Sequence, residues 1–181
     1  MSNILDSEDF LWRLFPEGKR KTFAVLDGAS VEGLLSQFEA MDPLYRCLYS
    51  GKLENGIAEV APYLVELEKY SAFTDWVLSK GWGNHWGIFM VTPASVKIDV
   101  LRRHFRKLNK VKLAGGKAVL FRYYDPRVLR TFLPVCEKEQ VPGFFERVES
   151  FICEAEDPSQ AVFFELSQDT RLPQGSSVKV G

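Results

Sequence analysis

The chain has 181 residues, 46% of them hydrophobic and 26% charged, with a formal net charge of −1, which is the balance of one soluble globular domain with a buried core. No run approaches the roughly eighteen apolar residues of a membrane helix, and MSNILDSEDF is acidic where a secretory signal is basic and then apolar. From these features no membrane span and no leader are expected, and the expected compartment is the cytoplasm.

In chain order, residues 8–15 (EDFLWRLF) predict a short helix capped by Ser7 and stopped by Pro16, part of an N-terminal helical arm over 1–20. One α/β domain over 21–167 follows. Phe23 to Leu26 reads as a strand, Asp27-Gly28 as a turn, and Ser30 as the cap of a helix with Val31, Leu34, Leu35, Phe38 and Met41 on its apolar face. Tyr45 to Ser50 is strand-like and GKLENG (51–56) supplies a turn. VAPYLVEL contains Pro62 and is expected at a sheet edge or in irregular structure. Ser71 caps a helix reaching Lys80, WGIFMVT reads as a buried strand, and Ser95 as the cap of the helix VKIDVLRRHFRKL. After the turn at Ala114-Gly115-Gly116, KAVLFRYY is the clearest strand, handing over to a helix at Asp125. RVESFICEA (147–155) and AVFFELS (161–167) form a C-terminal antiparallel hairpin. Residues 168–181 are polar and expected to fray as a flexible tail. The elements together predict an α/β class, a mixed β-sheet with packed helices.

The residues offer little chemistry. GASVEG lacks the spacing of a nucleophile elbow, Gly115-Gly116-Lys117-Ala118 lacks the leading glycine and the Ser/Thr of a phosphate loop, and GWGNHWG precedes a strand instead of following one. Cys47, Cys136 and Cys153 lie far apart with no CxxC, so they read as reduced thiols packed as small hydrophobes. No metal site, cofactor site or catalytic set is identified. Of the two histidines, His104 lies among arginines and is expected at the surface. His85, at the mouth of a strand between Asn84 and Trp86, is the one candidate base for a small hydrolase or transferase, without an identifiable partner. An enzyme is disfavoured.

Charge is segregated. Residues 1–80 carry 8 basic and 13 acidic side chains, 81–130 carry 11 and 2, and 131–181 carry 4 and 9. The basic excess centres on the helix at 96–108, where Arg102, Arg103, Arg106 and Lys107 oppose the apolar face of Ile98, Leu101, Phe105 and Leu108. A solvated face is the plain reading. Among binding roles, an acidic protein partner ranks above a nucleic acid, because the basic face has no aromatic stacking positions.

In LFRYYDPRVLRTFLP (120–134), Asp125-Pro126 has the grammar of a helix start. Alternation along the preceding strand puts Leu120, Arg122 and Tyr124 on one face and Phe121 and Tyr123 on the other, so Arg122 is either paired with a carboxylate, Asp125 or Asp27, or exposed for binding.

FAVLDGA, LYSG at 48–51, APYLVEL at 61–67, GWGNHWGI at 81–88 and FRYYDPRVL at 121–129 together resemble the Tap/Tec group of type VI secretion effector chaperones or adaptors, once listed as a domain of unknown function. The resemblance runs from about residue 22 to 150, with FRYYDPRVL its most specific part. It implies a non-enzymatic cytosolic protein that holds a cognate secreted effector and helps load it onto the VgrG spike. On the matching positions it points to Arg122, Tyr124, Asp125 and Arg127 as structural or recognition residues, and to Trp82 and Trp86 as anchors of a core or an interface.

Overall fold

The computed structural model describes residues 4–51, 53–54, 56–112 and 116–180. The turns expected at 51–56 and 114–116 fall partly outside these residues. Helix α1 (Glu8–Leu14) leads into strand β1 (Arg20–Asp27), then α2 (Leu34–Met41), β2 (Tyr45–Cys47), the single turn α3 (Ile57–Val60) and β3 (Pro62–Leu67). Next come α4 (Ala72–Trp76), which widens into a π-helical turn at Val77–Gly81, then β4 (Gly87–Pro93) and α5 (Ile98–Leu108). A small ribbon, β5 (Lys110–Lys112) with β6 (Ala118–Leu120), precedes α6 (Pro126–Phe132) and α7 (Val141–Phe145). Strands β7 (Ser150–Glu154), β8 (Gln160–Leu166) and β9 (Pro173–Lys179) complete the chain.

Seven strands form one sheet in the order β2-β3-β1-β4-β7-β8-β9. Every ladder between its neighbours is antiparallel. The α/β class, the packed helices and the β7–β8 hairpin agree with the expectation from sequence. Strand alternation divides the core in two. Ala24, Leu26, Phe89, Val91 and Ile152 face a layer holding α1, α2 and α4, whereas Phe23, Val25, Ile88, Met90 and Phe151 face α5, α6 and α7. Each large side chain so enclosed stabilises the fold by about 1.5–3 kcal/mol. Helices on both faces explain why the central strands read as continuous apolar runs.

Several local expectations are corrected. The N-terminal segment expected as a helical arm packs into the domain from α1, where Phe10 and Leu14 are fully buried in the first core layer. Pro62 does not keep β3 at the edge: β3 lies between β2 and β1, and the proline is its first residue, where a missing N–H breaks little of the ladder. The α2 helix begins at Leu34 with Gly33 ahead of it, so Ser30 is not its cap. Likewise Lys97, not Ser95, precedes α5. The tail expected to fray over 168–181 holds a paired strand among its described residues. Pro173–Lys179 pairs with β8 over seven positions, and Val180 is buried behind it. Backbone hydrogen bonding holds this strand where side-chain burial is sparse.

Candidate functional site

The predicted strand KAVLFRYY is a strand only at Ala118–Leu120. Arg122 to Asp125 form a turn, closed by Asp125 N–H donating to the Arg122 carbonyl at 3.0 Å. The two-face alternation therefore ends before Arg122. Tyr123 and Tyr124 are both completely enclosed, which consecutive residues of a strand achieve only when both its faces are covered. The Tyr123 ring stacks on Phe105 of α5 at 5.7 Å, and its hydroxyl donates to the Phe105 carbonyl at 3.4 Å. Burial raises the pKa of both tyrosines, and the Tyr124 hydroxyl also hydrogen-bonds Tyr49.

The carboxylate at the end of β1 receives the preceding arginine. Asp27, with a side chain only 3% exposed, accepts from the Arg122 guanidinium, from Ser30 Oγ at 3.0 Å and from Ala29 N–H at 3.2 Å. Ser30 thus serves the turn after β1. Burial acts to lower the Arg122 pKa, but the hydrogen bond and charge of Asp27 outweigh it and leave it raised.

Asp125 caps α6 as its sequence grammar predicts. It accepts from Arg127 N–H at 2.9 Å and pairs with the guanidinium of the same residue at 3.0 and 2.7 Å. Burial acts to raise the Asp125 pKa, yet the side-chain and backbone bonds from Arg127 hold it below the ordinary range. Arg122, Tyr124, Asp125 and Arg127 consequently gather at one junction that ties β1 to α6. Trp82 and Trp86 do not join them. Both are half-buried on the opposite face of the sheet. There Trp82 meets Phe10 edge-on at 5.0 Å and donates from Nε1 to the Pro158 carbonyl at 2.7 Å, while Trp86 packs 4.7 Å from Trp76.

His85 has a partner that motif reading did not find. Glu154, at the end of β7 and 4% exposed, pairs with His85 Nδ1 and accepts from the backbone N–H of Gly83 at 2.6 Å and of His85 at 3.1 Å. These bonds hold His85 in a left-handed conformation, φ 56°. The signal in the sequence was a glutamate ending an otherwise apolar strand, SFICE. Arg130 of α6 completes the corner by donating to the Glu154 carbonyl at 2.7 Å.

The basic helix borders an open cleft of about 970 Å³ between α5 and the described residues of 48–57. Arg103 and Lys107 are exposed along it. Arg102 is drawn inward instead, donating from Nε to the Cys47 carbonyl of the edge strand at 2.8 Å. The surface position expected for His104 is also corrected. Its side chain is only 10% exposed, 3.8 Å from the Glu146 carboxylate, and burial lowers its pKa. All three cysteines are free thiols, with Cys136 and Cys153 buried and Cys47 half-buried. No helix among the described residues is long and apolar enough to cross a membrane.

A family model described as "Domain of unknown function (DUF4123)" matches residues 22–142. Comparison with curated proteins and with solved structures yields no match.

Proposed function

The chain belongs to the DUF4123 family, and from that premise we propose that it is a non-enzymatic cytoplasmic adaptor, which binds a cognate type VI secretion effector and promotes its loading onto a VgrG-type spike. One observation carries this reading: the polar groups of the FRYYDPRVL signature are engaged within the chain itself. Arg122 is bound to Asp27, Arg127 to Asp125, and both tyrosine rings are enclosed. A signature spent in this way specifies a rigid scaffold, and a scaffold suits a protein whose work is to hold another polypeptide. The matched span contains the whole signature. Co-expression with the product of a neighbouring effector gene, followed by size exclusion, tests the proposal. A stable stoichiometric complex is expected; failure to bind both effector and spike protein removes it.

A second reading rests on the His85–Glu154 pair, since a carboxylate on Nδ1 can orient an imidazole as a general base. Glu154 also fastens the Gly83–His85 backbone, which gives the pair a structural purpose without chemistry. A substrate screen decides between them: turnover that is lost in a folded His85→Ala chain supports a hydrolase or transferase, and unchanged activity eliminates His85 as its base.

A further inference from the structure

We infer that the cleft between α5 and the described residues of 48–57 is a docking groove for an acidic, aliphatic-rich segment of a partner polypeptide. The inference rests on the adaptor reading and assigns it a surface.

Charge is the first argument. Five cationic side chains line the cleft, namely Arg103, Arg106 and Lys107 of α5, Lys110 of β5 and Arg147 after α7, against the two carboxylates of Glu54 and Glu146. This excess sits on a chain whose overall charge is −1. The cations come from three separate elements, so the field converges on the cleft instead of following from one helix face. None of the five forms an ion pair closed by a buried carboxylate among the described residues, and the one bond to a side chain, Arg147 to Glu146, is exposed at 3.3 Å. Their charge is available to a ligand, unlike that of Arg122 and Arg127.

The apolar lining is the second. Leu53, Ile57, Val100 and Leu120 also border the cleft, and Ile57 and Leu120 are 39% and 52% exposed. Large aliphatic groups beside uncommitted cations match a ligand with carboxylates and aliphatic side chains together. A nucleic acid fits less well: among the described lining residues only Tyr49 and the largely buried His104 carry rings, so there is no stacking platform.

The test uses the full chain and three fluorescent probes: an amphipathic peptide with Glu on one face and Leu on the other, its Lys-for-Glu counterpart, and single-stranded oligo-dT. Binding of the Glu/Leu peptide alone is expected, weakening with salt and falling at least about tenfold in Arg103→Glu/Lys107→Glu. Both positions are exposed, so that variant should keep the wild-type melting temperature, and this is measured alongside. Tighter binding of oligo-dT, no binding of the Glu/Leu peptide, or binding that the variant leaves unchanged overturns the groove. Complex formation with the co-expressed effector separates the two proposals: if the variant still forms the complex, the groove falls and the adaptor reading stands. If the wild-type chain forms none, the adaptor reading falls, and peptide binding then judges the cleft alone.

Discussion

Arg122 donates from Nη2 to Oδ2 of Asp27, across 95 positions of chain. The bond fixes the turn ahead of α6 to the end of β1. Because Asp27 is buried and Arg122 is 41% exposed, the two ends are unequal. Arg122→Ala leaves Asp27 with Ser30 and the Ala29 amide, and should cost about 1–2 kcal/mol. Asp27→Ala strands those donors as well as the guanidinium and should cost more, about 2–4 kcal/mol. Urea unfolding of both chains checks the order.

The cap of α6 should show itself in pH dependence. The folded-state pKa of Asp125 lies below its ordinary 3.8, so the folded protein favours the carboxylate. Its contribution is fully present above the unfolded pKa and is lost as pH falls through the lower folded value. Asp125→Ala should therefore cost about 1 kcal/mol near neutrality, and the difference from wild type should shrink under acid below pH 3.8. Chemical denaturation across that range measures it.

His104 acts in the opposite part of the scale. Burial sets its folded pKa below the ordinary 6.5, with Glu146 and the Gly143 and Phe144 backbone opposing the shift and Arg147 adding to it. Between the two values the unfolded chain binds more protons, so stability falls as pH drops from about neutral through 6.5 toward the folded pKa. His104→Gln should remove that slope in melting temperature against pH, leaving the rest of the profile in place.

The thiols should react in order of enclosure. Burial pushes Cys153 up to about 12 and raises Cys136, while Cys47 is half-buried. A thiol-reactive chromophore should label Cys47 first in the native protein, and the other two at the rate of unfolding. Fast native labelling of Cys153 would contradict its place in the core.

Close packing makes one glycine irreplaceable. A Cβ at Gly28 would lie 2.5 Å from the carbonyl oxygens of both Glu59 and Ala61. Neither is a flexible side chain. Gly28→Ala must part the turn after β1 from the start of β3, and should destabilise by more than about 2 kcal/mol in urea.

Much of this was legible in the residues. The apolar runs of β1, β4, β7 and β8 declared buried strands, and Asp125-Pro126 declared a helix start, because each signal is local. What failed depended on distance. Arg122 in an apolar run looked like part of a strand, and only the placement of Asp27 turns the chain there. Glu154 gave no hint of His85, since the two meet through sheet pairing. β9 has almost no burial of its own, so its existence follows from the free edge of β8 and not from its composition. Of the named residues, Arg122, Tyr124, Asp125 and Arg127 came together, while Trp82 and Trp86 stayed on the other side of the sheet.

Hydrogen exchange of the chain alone and with its co-expressed effector tests the central claim most directly. The account predicts stoichiometric protection of amides lining the α5 cleft, with the Arg122–Arg127 junction equally protected in both states because it is scaffold. An exchange pattern that no candidate effector or spike protein changes, or protection centred on His85 instead, would contradict it.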